Sequence, residues 1–134
     1  MADAVASQTL LDGERVAIMK FTNISDGTGE AAVKKVDVST LNSNASGTTC
    51  TGVKINKIWA NTDGMSVNVL WDATTDVVAT TIPAGQMYCM KFAEFGGLPN
   101  NAGDGKTGDV MFTTVGHTAG DSYTIILELL KSYG

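Results

Sequence analysis

Arginine, histidine, proline and cysteine are scarce in this chain, and each scarcity narrows what it can do. Arg15 is the single arginine among 134 residues that carry a formal net charge of -5. A phosphate-binding surface needs a clustered basic patch to release counterions, and the pair Lys34-Lys35 is too small to supply one, so nucleic acid is not an expected partner. Cys50 and Cys89 lie far apart with no CxxC spacing, which predicts isolated thiols rather than a zinc site or a redox motif. His117 is the sole histidine and falls in a turn, with no motif to give it a nucleophile or carboxylate partner. Ser66 lacks the full pair of flanking glycines of a nucleophile elbow, with Asn68 at the second position. Gly105-Lys106-Thr107 ends like a phosphate-binding loop, but Asn100 stands where that loop requires its first glycine, and a strand-like segment follows where a helix is needed. The reading is therefore of a protein that is not an enzyme and that uses no cofactor or metal.

Long apolar runs are missing as well. None approaches the roughly 20 residues of a membrane helix, and Met1 to Thr9 carries Asp3 without the basic and apolar regions of a secretory leader. No membrane partner is expected, and folding is expected in a reducing cytoplasm. Charged residues make up 17% of the chain, against about 25% in an average soluble domain.

What the chain does have is glycine, 15 residues of it, spaced between short runs of alternating apolar character. That spacing predicts an all-β antiparallel β-sandwich, jelly-roll-like, of about seven or eight strands with long Gly/Asn-rich loops. Periodicity leaves the strand order open. Residues 1–13 are expected to be a flexible N-terminal arm and 14–134 a single sandwich domain. In Arg15 to Thr22, Val16 and Ile18 are read as core. Glu30 to Leu41 mixes helix formers, with a Glu30–Lys34 pair at i,i+4, with the period-two Val36 and Val38; a strand with a bulge is favoured. Leu41 to Gly52 reads as a polar loop. Gly52 to Ala60 places Val53, Ile55 and Trp59 in the core, and Asp63-Gly64 signals a hairpin into Met65 to Trp71, with Val67, Val69 and Trp71 inward. Pro83-Ala84-Gly85 predicts a second hairpin, joining Asp76–Ile82 to Gln86–Phe92. Ala93 to Gly108 is the longest interruption, anchored by Phe95 and Leu98, before Asp109 to Val115 brings Phe112 inward.

Ser122 to Tyr133 is apolar on both faces. Ile125, Leu127 and Leu129 alternate with Tyr123 on one, read as core, and Ile126 and Leu130 load the other. A strand apolar on both faces needs cover on both, so Ile126 and Leu130, with Phe95 and Leu98 of the long loop, are the candidate subunit-interface residues of a homo-oligomer, dimer or trimer. Asp26, Glu30, Asp104 and Asp109 sit among glycines that would let carbonyls approach a hard cation, but none fits a helical calcium loop, and solvated turn carboxylates are the simpler reading. Trp59 and Trp71 are in phase with aliphatic neighbours and are assigned to packing rather than to sugar stacking.

Ser7-Gln8-Thr9-Leu10-Leu11-Asp12-Gly13, Lys20 through Glu30, Leu70 through Asp76, Phe95-Gly96-Gly97 with Asn100-Asn101-Ala102-Gly103, and Gly108 through His117 together resemble small virion structural proteins of tailed bacteriophages, of the kind that decorates or cements the capsid. The resemblance runs nearly end to end. It implies a protein made in the host cytoplasm, located on the capsid surface of the virion, with the major capsid protein or other virion proteins as partners. A tail, neck or fibre/spike-base component, and a carbohydrate-binding β-sandwich module, are the alternatives.

Overall fold

A computed structural model describes residues 4–85, 87–92, 94 and 96–133. Nine strands occur among them: β1 (Ala4–Asp12), β2 (Val16–Ile24), β3 (Val33–Val36), β4 (Cys50–Asp63), β5 (Ser66–Trp71), β6 (Val77–Ile82), β7 (Met87–Lys91), β8 (Val110–Val115) and β9 (Ser122–Tyr133). They form two antiparallel sheets, β1-β2-β9-β4-β7 and β3-β8-β5-β6, packed as an all-β sandwich. The pairings nest: β5 with β6, β4 with β7, β3 with β8 and β2 with β9. A long hairpin whose tip is the β5–β6 turn is thus folded over, and β4·β9 and β5·β8 contacts close it into two layers.

The core lies between the layers. Phe21, Phe112 and Tyr123 stack edge to face, with ring centroids 5.3 Å and 5.8 Å apart in succession, a geometry that matches ring edges to ring faces. Val53, Ile55, Val67, Val69, Trp71, Phe112, Ile125, Leu127 and Leu129 are buried. The Trp71 indole N–H has no acceptor among the described residues, a desolvated donor that costs about 1–3 kcal/mol.

Several expectations are corrected. In β2 the inward row is Ala17, Met19, Phe21 and Asn23, whereas Val16 and Ile18 are half-buried on the outer face. Both rows are apolar at their start, and the larger ring, Phe21, claims the core. In β4 the pairing shifts between Ile55 and Lys57. The extra residue reverses the alternation, so Ile58 and Ala60 turn inward and Trp59 turns out, half-buried. Neither expected hairpin forms: Asp63-Gly64 and Pro83-Ala84-Gly85 each carry the chain from one sheet to the other. Turn residues license a sharp reversal but do not choose the pairing partner.

Residues 4–12, expected as a flexible arm, form β1 along β2. The segment expected as a bulged strand over Glu30 to Leu41 is shorter. β3 starts after Ala32, whose φ is 49°. Its pairing with β8 shifts between Lys34 and Val36, and a single 3-10 turn, Val38–Thr40, follows, capped by the Asp37 carboxylate on Ser39 N–H. The Ser39 hydroxyl and N–H together hold the Asp37 carboxyl below the usual carboxylate range.

Candidate functional site

Two buried polar knots pin the loops at opposite ends of the sandwich. At one, Glu30 Oε1 accepts from Tyr123 Oη at 2.6 Å and Asn23 Nδ2 at 3.0 Å, while Oε2 pairs with Lys35 Nζ at 2.5 Å. Both ionised side chains are only 5% exposed. Glu30 N–H donates to Thr114 Oγ1, which also contacts His117 Nδ1 at 3.2 Å, so the lone histidine is a loop-packing group. At the other, Lys131 Nζ donates to Asp12 Oδ1 at 2.5 Å and to the carbonyls of Gly13 and Asn42, both at 2.8 Å. Burial is the largest single influence on this ammonium and works against its charge, yet the Asp12 hydrogen bond and charge, with Tyr133, outweigh it and raise the pKa above 10.5.

Three of the four acidic residues weighed as cation ligands, Glu30, Asp109 and Asp26, have their carboxylates occupied otherwise. Asp109 accepts from Val38 N–H at 2.9 Å and pairs with Lys34 at 2.9 Å, a contact that raises the Lys34 pKa, so Lys34 does not pair with Glu30. Asp26 bonds the Thr28 N–H of its own loop, and the Asp104 carbonyl accepts from Thr74 N–H. Among the described residues no three His, Cys, Asp or Glu side chains stand together to hold a metal.

The surface with chemistry to offer is the outer face of the five-stranded sheet. Directly opposed residues in an antiparallel sheet share a face, so the register places side chains on it row by row. Cys89, Trp59, Ile126 and Lys20 form one row across β7, β4, β9 and β2; Met87, Asn61, Thr124 and Thr22 form the next. Lys91, Lys57, Glu128 and Ile18 make a third, and Lys54, Leu130 and Val16 a fourth. Met87 is 86% exposed. Trp59, Met87, Ile126 and the stem of Asn61 line a shallow depression of about 160 Å³, with Lys57 Nζ 4.6 Å from the centre of the Trp59 ring.

Electrostatically the face is the reverse of the molecule. It presents Lys20, Lys54, Lys57 and Lys91 against Glu128 and, at the end of β4, Asp63, in a chain whose net charge is -5. Lys57 and Lys91 stand directly opposite each other, a like-charge pairing that weakens a sheet, and Glu128 faces Lys57 from its other side.

Of the residues expected at an interface, Ile126 and Leu130 lie on this face, half-buried. Leu98 does not: it is a loop anchor, exchanging backbone hydrogen bonds with Ile55 and packing against the core. Phe95 lies outside the described residues. Trp59 is assigned to the core from the sequence, and Met87 and these lysines are not singled out, because they converge only when β2, β9, β4 and β7 are laid side by side. Comparison of the chain with protein-family models and with curated proteins finds no match.

Proposed function

We propose that this chain is a phage virion structural protein, specifically a capsid decoration protein, that docks the outer face of its five-stranded sheet on an acidic surface of the head lattice. The observation that carries the reading is that face itself: an apolar centre of Trp59, Met87 and Ile126 ringed by lysines on an otherwise acidic protein. An apolar centre with a charged rim is the anatomy of a protein–protein contact. The strand order supports it. Without β1 the two layers read β2-β9-β4-β7 and β3-β8-β5-β6, the order of a jelly roll, an architecture used in viral capsid and lectin domains. The resemblance to phage decoration proteins points the same way. Each contact can be modest, because a subunit touching two lattice positions gains from effective concentration.

The test is quantitative mass spectrometry of virions from cells expressing the wild type or a Lys57→Glu/Lys91→Glu variant. Hundreds of copies per particle, with at least a tenfold loss in the variant, is the expected result. A few copies would move the protein to the tail or neck, and absence from particles would end the virion reading. Trp59 favours one other reading, a carbohydrate-binding module, since a half-exposed indole on a sheet face can stack a sugar ring. Oligosaccharide titrations that quench Trp59 emission would favour that reading over the first.

A further inference from the structure

β1 ends the five-stranded sheet, and among the described residues no strand lies along its outer edge. Its first eight residues, Ala4 to Leu11, contain no charge and no proline. Sheet edges are normally blunted by lysine, proline, shortness or a bulge. The other three sheet ends follow that rule: β3 carries Lys34 and Lys35 in four residues, β7 ends at Lys91 after five, and β6 runs into Pro83. β1 has only a register shift near Leu10, which leaves Ala4 to Thr9 regular.

The strand also overhangs the core. Val5, Ser7 and Thr9 stand opposite Asn23, Phe21 and Met19 of β2. Those three are buried beneath the second sheet, whereas Val5, Ser7 and Thr9 are exposed, Val5 at 50%. The second sheet therefore stops short of β1, and among the described residues nothing covers its core-facing row.

We propose that β1 is a self-pairing edge: two copies of this chain join β1 to β1, antiparallel about a two-fold axis, into one ten-stranded sheet. A second copy is the occupant because the two-fold pairing satisfies both open edges at once, as an isologous interface does. Uncharged from Ala4 to Leu11, the two strands also meet over that stretch with no like charges opposed. The bare rows of Val5, Ser7 and Thr9 come side by side and cover each other. The inference does not depend on the lattice reading. With both core-side rows on one side, the two outer faces also lie on one side, as a doubled docking surface.

Light scattering on a sizing column, repeated across dilutions, tests it on the full chain. The wild type is expected at twice the 14.0 kDa chain mass, dissociating on dilution. A Val5→Lys/Ser7→Lys variant, which places four cations at the seam, is expected at the single-chain mass with an unchanged far-UV spectrum. A wild type that stays monomeric at millimolar concentration overturns the proposal, and so does a folded variant that remains dimeric. If the variant does not fold, amide exchange of residues 5–9 in the wild type decides. Protection that rises with protein concentration supports self-pairing, and protection independent of concentration refutes it. Neither failure touches the copy-number test of the lattice role.

Discussion

Removing the charge of Glu30 while keeping its shape should be among the most damaging single changes this fold can suffer. In Glu30→Gln, the Lys35 ammonium, 5% exposed and 2.5 Å from the lost carboxylate oxygen, faces an amide instead of an anion. Breaking one member of a buried ion pair costs about 3–5 kcal/mol, because the remaining charge stays desolvated. Tyr123 Oη and Asn23 Nδ2 also lose a charged acceptor, and hydrogen bonds to ionised groups are the stronger kind. For a domain of this size each kcal/mol moves Tm by roughly 3–5 °C, so a fall of about 9–25 °C is expected. Replacing both partners, Glu30→Gln with Lys35→Met, removes the stranded charge and should recover most of that loss, since apolar substitution of a whole buried pair is often near neutral. Urea unfolding of the wild type, the two single variants and the double variant at pH 7 completes the cycle. A loss below about 1 kcal/mol in Glu30→Gln, or a double variant no better than the single, would refute the claim that this pair is desolvated and mutually dependent.

Lys131 contributes to stability at alkaline pH. Its pKa is raised above 10.5 in the folded protein, so the folded state holds this proton more tightly than the unfolded one. The stabilisation is fully present below pH 10.5 and is lost as pH rises through the folded value. Lys131→Met should be less stable at pH 8 and should flatten the alkaline fall in urea midpoint; an unchanged alkaline slope would contradict the assignment. Gly108 has φ +87°, and a Cβ there would lie 2.2 Å from the Thr51 carbonyl oxygen, whereas Gly47, at φ +82°, meets open space. Gly47→Ala should therefore cost only the left-handed strain, about 1–2 kcal/mol, and Gly108→Ala clearly more; equal losses would mean that the Thr51 backbone yields freely.

Alternation made much of the sandwich legible in the sequence. Ile125, Leu127 and Leu129, and Val67, Val69 and Trp71, could be placed inward because β9 and β5 carry no extra residue themselves; the shifts in their pairings fall on β4 and β6. Trp59 could not, since one extra residue after Ile55 inverts the phase and no local signal at Asn56 announces it. Val16 and Ile18 failed for a different reason: both rows of β2 begin apolar, and only the fit of Phe21 against Phe112 decides between them. The strand at residues 4–12 was hidden because its side chains, uncharged up to Asp12, carry little alternating pattern, and pairing with β2 is what orders it. Ile126 and Leu130 were found on the outer face because β9 is apolar on both sides. The lysines around them come from three other strands, so their convergence is a property of strand order, which one-dimensional periodicity does not carry.

Trp59 offers the most direct test of the docking face. The chain has two tryptophans, and Trp71 is fully buried, so acrylamide quenching of the free protein reports almost wholly on Trp59. The account expects one quenchable and one protected indole in the free protein, and two protected indoles when the protein is bound on purified heads. Equal quenching of Trp59 in both states would contradict it, because the face proposed to dock would then still be facing water.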